Sequence, residues 1–362
     1  MVMPHPRRKH SWLSYFFAAG AAVFLGIGLA LAVIYGINKI QSLISLDRLV
    51  ATPASVSERV KSQPIVVPGI QMPATINATT SLIFVGDIMM DRGVRRSVEK
   101  NGFGDYDYLF HRASFLSKAD IAFANLEGPI SDQGTNRFNL YSFRMDPKSV
   151  EALANAGFDV LSVANNHIGD WGQPAFVDTL NCLSGAKIVY VGGGLTQTEA
   201  EAVKIIEKNG TKFGFVGFSD VGPNDLAATG GQSGIVIASE ESVARVVSLA
   251  AKQVDVLIAS FHFGDEYKLL PNERQKKLAH LAIDNGAKIV VGHHPHVIEP
   301  VEYYQDGVIV YSLGNFIFDQ YFSVETMTGG ALNVEVVGNK IAKVSTSTVS
   351  LNNFFVPELN QP

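Results

Sequence analysis

Short apolar runs recur through most of the chain: Leu82–Val85, Ile121–Ala124, Val160–Val163, Ile188–Val191, Phe213–Phe218, Val254–Ser260, Lys288–Val291 and Val308–Tyr311. They are rich in Val, Ile and Phe and are bounded by Gly, Asn, Asp and Ser, which predicts strands. Helix-like segments separate several of them. Near-continuous apolar strands alternating with helices predict an α/β protein whose strands are buried on both faces. One helix is predicted over Asn272 to Asn285, with Asn272 as N-cap, Leu278, Leu281 and Ala282 as its apolar stripe and Gly286 as its stop. After Gly330, Ala331–Val337 and Ile341–Val349 read as a hairpin turning at Gly338-Asn339-Lys340.

The amino-terminal pattern is different. Ser11 to Asn38 carries no charge and is mostly apolar, longer than the roughly 20 residues that cross a bilayer as a helix. Arg7-Arg8-Lys9 precede it, which predicts a single-pass cell-membrane anchor, N-terminus cytoplasmic and C-terminal domain extracytoplasmic. A cleaved signal peptide ending near Ala30-Leu31-Ala32 is the rival reading. Apolar residues continue through Val33, Ile34 and Tyr35, where a cleavage region turns polar, so the uncleaved anchor is preferred. Prolines at 53, 64, 68 and 73 mark a tether. The expected division is a cytoplasmic tail over 1–10, a transmembrane anchor over 11–38, a linker over 39–80, a folded domain over 81–352 and a tail over 353–362.

Composition narrows the function. The chain of 362 residues is 47% apolar and 17% charged, ample for one large core. Its only cysteine is Cys182, which excludes an internal disulfide and a cysteine-based zinc site. The net charge is −5, but residues 1–40 carry +4 and the remainder −9. A net-acidic body argues against nucleic acid as a partner.

Polar residues fall where the strands end. Gly86-Asp87, Asn125-Leu126-Glu127, Asn165-Asn166-His167, His262-Phe263-Gly264-Asp265-Glu266, His293-His294-Pro295-His296 and Ser312-Leu313-Gly314-Asn315 each follow an apolar run. In open α/β sheets the ligand crevice lies outside the carboxyl ends of the strands. Each motif alone has a plainer reading. Asp87 could cap a helix, Asn125 and Glu127 could sit in a turn, Asn165-Asn166-His167 could be an Asx turn, and His262 could be a core histidine. Together they form a carboxylate, amide and imidazole set that suits one or two divalent ions, Mn, Fe or Zn. Three of the nine histidines lie between 293 and 296. In an extended loop His294 and His296 would point to one side, and His293 would point away from the site.

These motifs, with Asp170, Tyr267 and the Tyr311-to-Phe316 run, resemble the capsule synthesis protein CapA family, tied to poly-γ-glutamate biosynthesis. The resemblance covers about residues 81–325. That family is itself similar to calcineurin-like metallophosphoesterases, which implies a four-layer αββα sandwich with a two-metal site. Carried across, the resemblance implies metal ligation by Asp87, Glu127 with Asn125, Asn166, His262, His294 and His296. It implies proton transfer by His167 or Glu266, and substrate contacts from Arg92, Tyr267, Asn165 and Asn315. Met89 stands where the phosphoesterase pattern has a His, and Asn125-Leu126-Glu127 where it has Gly-Asp. The implied function is a membrane-anchored capsule-biosynthesis protein acting on a phosphoester or amide of an acidic polymer or another cell-envelope substrate, alongside other capsule-synthesis membrane proteins. The alternative is a non-catalytic accessory that guides an acidic polymer during export.

Overall fold

The computed structural model describes residues 78–360. The expected cytoplasmic tail, anchor and most of the linker lie outside the described residues. Among the described residues no helix is long and apolar enough to cross a membrane.

Two mixed sheets carry the fold. In the first, β1 (Thr79–Ile88), β2 (Ile121–Leu126), β3 (Val160–Ser162) and β4 (Val189–Val191) run parallel. In the second, β7 (Thr211–Ser219), β9 (Val256–His262), β10 (Ile289–His293) and β12 (Gly307–Val310) run parallel, with β6 (Lys204–Lys208) and β11 (Val301–Tyr304) antiparallel at its edges. A pair of two-residue strands, β5 (Gly193–Gly194) and β8 (Gly234–Ile235), stands apart. The first sheet continues on the other side of β1. There β13 (Asn315–Ile317) pairs with the end of β1 in parallel, and β14 (Thr328–Val337) lies antiparallel along its length. Strand β15 (Lys340–Leu351) and β16 (Pro357–Leu359) follow. All eight predicted core strands and the hairpin are present. The domain does not stop at 352, as the sequence suggests: Pro357–Leu359 pairs with Val349–Leu351, and Ser97 donates to the Phe354 carbonyl. That strand is only three residues long and begins with a proline, so the sequence does not announce it.

Strand alternation sorts the apolar side chains into three cores. On β1, Ile83 and Val85 pack with Val94 and Val98 of helix α1 (Arg92–Asn101), Leu153 of α2 (Ser149–Ala156) and Phe176 and Leu180 of α3 (Gly172–Gly185). Leu82 and Phe84 face the other way, onto Phe213, Phe215, Ile258 and Val291 of the second sheet. The outer face of that sheet, with Leu257, Ala259 and Val290, is covered by Val243 and Val247 of α5 (Glu240–Ala251) and Leu278 and Ala282 of α6 (Glu273–Asp284), after a short α4 (Gln197–Glu201). Helices, sheet, sheet and helices therefore stack in that order. Phe123 on β2 stacks on Phe215 across the middle, ring centres 6.1 Å apart. Truncating a ring so placed costs about 3–5 kcal/mol.

Helix α6 starts where its sequence says it should. The Asn272 side chain accepts from Gln275 N at 2.9 Å, and the Gln275 side chain accepts from Asn272 N at 2.9 Å, a reciprocal capping box.

Candidate metal centre between the two sheets

The middle core is apolar along most of its length and turns polar at the carboxyl ends of the strands. On β2, Ile121 and Phe123 face the second sheet, and Asn125 continues that alternation. On β9, Val256 and Ile258 do so, and His262 follows in phase. On β10, Ile289 and Val291 lead in phase to His293. Asp87 needs a further device. Ile83 and Val85 face the helices, so unbroken alternation would send Asp87 there too. Between Phe84 and Asp87 β1 carries one more residue than β2, a bulge that reverses the phase. Ile88 then faces the helices and Asp87 the gap between the sheets.

Asp87 is fully buried and is the centre of the cluster. Its Oδ1 accepts from Asn125 Nδ2 at 2.9 Å and lies 3.2 Å from His293 Nδ1. Its Oδ2 accepts from the His294 backbone N at 3.2 Å and lies 3.5 Å from His296 Nδ1. Asn125 Nδ2 also reaches Glu127 Oε2 at 3.3 Å, and Asn165 Nδ2 donates to Asn125 Oδ1 at 3.2 Å. His262 Nε2 meets Asn166 Oδ1 at 2.7 Å, and His296 Nδ1 meets Asn315 Oδ1 at 2.9 Å. One ligand atom from each of Asp87, Glu127 and His262 lies within 4.8 Å of the others, and the same holds for Glu266, His294 and His296.

The loop after β10 is not extended. His294 has φ +98° and His296 +59°, so the chain bends at both. His293 does not miss the site, as an extended loop would require. It is the last residue of β10, opposite His262, and strand alternation aims it at Asp87.

The charges are arranged by burial and by one another. Burial alone would raise the Asp87 carboxyl, but the imidazoles of His293 and His296 outweigh it and hold the group well below the usual carboxylate range. Glu127 is pushed well up, first by burial and then by the charges of Asp87, Glu266 and Asp170. Burial drives His262 far down, and burial with the charge of His296 takes His294 down to about 3. Burial lowers His296 as well, yet Glu127 and Asp87 beside it lift it to about 9. Neutral His262 and His294 are in the state that ligates metals.

A model of the bacterial capsule synthesis protein PGA_cap matches residues 81–320. The chain belongs to that family. Over 244 residues it is 37% identical to the PGA biosynthesis protein CapA of Bacillus subtilis, covering 66% of this chain and 63% of that protein. It is 34% identical over 254 residues to the capsule biosynthesis protein CapA of Bacillus anthracis, covering 67% and 61%. The chain thus spans somewhat less than two thirds of the relatives it matches. Among solved structures it is similar to a calcineurin-like phosphoesterase of Bacillus subtilis, at 17% identity and a TM-score of 0.46, covering 75% of this chain and 90% of that one.

In this PGA_cap chain a cleft of about 320 Å³ opens over the cluster. His167, Glu266, His296 and Tyr267 line it, as does Arg92, the first residue of α1. Asp319 fixes Arg92 through an ion pair and accepts from Gly93 N at 2.8 Å. His167 Nδ1 meets Asp170 Oδ2 at 2.8 Å, and its ring packs 4.1 Å from Phe143. Asp170, fully buried, also accepts from Asn139 Nδ2 at 2.7 Å and Phe143 N at 2.8 Å. Asn165 and Asn315 are buried behind the cleft, where they hold Asn125 and His296 rather than line the opening. Met89 is buried with Phe143 and Phe318 in a small apolar cluster. Sequence reasoning assigned no role to Asp170, Asp319 or Phe143. Asp170 had a visible signal in its three-residue spacing from His167; the other two come from distant loops.

Proposed function

We propose that this chain is an extracytoplasmic, membrane-anchored protein of capsule or poly-γ-glutamate synthesis that works as a metal-dependent hydrolase or transferase on a phosphoester or amide. The observation that carries the catalytic reading is a set of buried polar atoms with no partner. Glu127 Oε1, Nε2 of His293 and Nδ1 of His294 are all buried without a hydrogen bond. Leaving such atoms unmatched costs about 1–3 kcal/mol each, so a cluster of them beside a carboxylate calls for a ligand. Oxygen and imidazole donors fit a borderline divalent ion. Asp87, Glu127 and His262 would hold one, and Glu266, His294 and His296 a second. Such ions supply Lewis acidity toward a phosphoryl or carbonyl oxygen and lower the pKa of a water.

The chain's own residues do the rest. Asp170 holds His167 through Nδ1, leaving Nε2 for proton transfer to a leaving group in the cleft. Arg92, pinned by Asp319 and lying over the Phe143 ring at 4.7 Å, presents a guanidinium that suits a phosphate or carboxylate. The anchor reading is supported by the uncharged apolar run from Ser11 to Asn38 and the basic residues before it. The buried Met89, which offers no ligand two residues after Asp87, favours a second reading, a non-catalytic accessory that binds an acidic polymer.

Metal content of the purified full chain, followed by hydrolysis assays with Mn or Zn, separates the two. Manganese-dependent turnover that His294→Ala abolishes is the expected result. A metal-free chain whose polymer binding survives that substitution would overturn the catalytic reading.

A further inference from the structure

Polar side chains outside both candidate ligand sets connect two of the ligands. Asn315 opens β13 and is buried. Its Nδ2 donates to the Thr326 carbonyl at 2.9 Å and to Gln320 Oε1 at 3.0 Å. A backbone carbonyl only accepts, so the Asn315 amide fits one way round, with Oδ1 toward His296 Nδ1 at 2.9 Å. That oxygen accepts as well. His296 Nδ1 therefore carries the ring hydrogen, and Nε2, 3.6 Å from Glu127 Oε1, is left for an ion.

The same logic carries outward to the cleft. Asn315 takes the Gln320 side-chain oxygen, so the Gln320 nitrogen faces the Tyr267 hydroxyl and donates to it at 3.2 Å. The phenol oxygen is then the acceptor, and its hydrogen is free for Glu266. Glu266 lies beside it: burial first, and then that carboxylate, raise the phenol above the ordinary tyrosine range. The Tyr267 ring also stacks on the His296 ring, centres 6.1 Å apart and planes 29° from parallel. Its backbone is held there at φ +62°, with N donating to the Pro295 carbonyl at 2.8 Å. Gln320 is set in turn by Thr326, whose hydroxyl donates to the Gln320 carbonyl at 2.6 Å. Hydrogen-bond donation thus runs in a chain from His296 through Asn315 and Gln320 to Tyr267, and ends beside Glu266.

From this we infer that Gln320 is a positioning residue of the metal centre. Through Asn315 it orients the edge of His296. Through Tyr267 it holds an aromatic ring on the face of that imidazole and a hydroxyl beside Glu266. The inference rests on the metal-dependent reading of the same site and adds to it a residue that sets ion affinity without touching the ion.

Mn binding by the full chain in detergent, followed by the electron spin resonance of the free ion, reads affinity without turnover. Gln320→Met fills a similar space without polar atoms. It should weaken binding of the Mn that His294→Ala removes by about tenfold, with an unchanged urea midpoint. Tyr267→Phe keeps the stacked ring and loses the hydroxyl. Adding it to Gln320→Met should cost little more than either change alone, because both break one link. Wild-type affinity in Gln320→Met, a loss matched by a fall in the urea midpoint, or fully additive losses in the double variant would overturn the proposal and leave the metal reading in place. A wild type that takes up no Mn would overturn the metal reading and this proposal with it.

Discussion

Nδ1 of His293 lies 3.2 Å from Oδ1 of Asp87, joining the last residue of β10 in one sheet to the bulged end of β1 in the other. Both side chains are buried to 1% or less, so neither can exchange its partner for water. The pair ties the two halves of the candidate centre together. Substituting His293→Ala should weaken Mn binding by about 10–100-fold, the usual cost of losing a ligand or the group that orients one. Elemental analysis of the dialysed full chain at graded Mn concentrations measures it. An unchanged binding curve would place His293 outside the centre.

Backbone contact fixes the bulge that aims Asp87. A Cβ on Gly86 would come within 1.9 Å of the Gly314 carbonyl oxygen, and Asp87 N donates to that same carbonyl at 2.9 Å. Backbone on both sides cannot yield as a flexible side chain would. Gly86→Ala should therefore destabilise the domain by about 2–4 kcal/mol and lower metal occupancy together with it. Urea unfolding in parallel with metal analysis checks both. A stable variant with normal metal content would mean the close approach is not needed.

Asp170 collects three donors: the His167 ring, the Asn139 amide and the Phe143 backbone N. It thus sets the orientation of His167 and anchors the loop that carries Phe143. Asp170→Asn should keep the fold but lower kcat by about 100-fold, with a smaller change in KM, because a neutral amide replaces the carboxylate that orients His167 and stabilises its protonated form. Turnover at wild-type rate would assign the proton transfer elsewhere, with Glu266 the next group to test.

Away from the centre, Glu299 is buried and accepts from Gln275 Nε2 at 2.7 Å, while its other oxygen has no partner. Burial, aided by the charge of Asp265 and opposed by the Gln275 hydrogen bond, raises its pKa from 4.5 to about 7. Between those two values the folded chain holds a proton that the unfolded chain has released. Stability therefore falls as pH rises from about 4.5 to 7 and levels off above, a loss on the order of 3 kcal/mol from this group. Glu299→Gln keeps an acceptor for Gln275 and carries no charge. Its stability relative to the wild type should climb through that window and stay higher above it. Denaturant midpoints of both proteins at pH 4.5, 6 and 8 give the difference directly.

The strands and their polar ends were legible because both follow local rules. A strand buried on two faces must be a short apolar run, and a functional α/β edge must place Asp, Asn, Glu or His just after it. Asp87, Asn125, His262 and His294 could thus be named from position alone. Helix α6 was legible for the same reason, since Asn272 and Gln275 cap it within four residues of chain. Three things lay beyond that reach. The phase of Asp87 depends on one extra residue in β1, and a bulge is defined only against the neighbouring strand. His293 joins the cluster because β10 reaches as far as residue 293 and the chain bends after it, which pairing with β9 decides. The cleft above the centre is built by Arg92 with Asp319 and by Tyr141, Tyr267 and Phe322, residues far apart in the chain. Sequence by itself determined which elements form and which chemistry they carry, because hydrophobic periodicity and capping act over a few residues. Only the tertiary structure decided which side chains share a site and which of them line its cleft, because those depend on how two sheets meet across a common core.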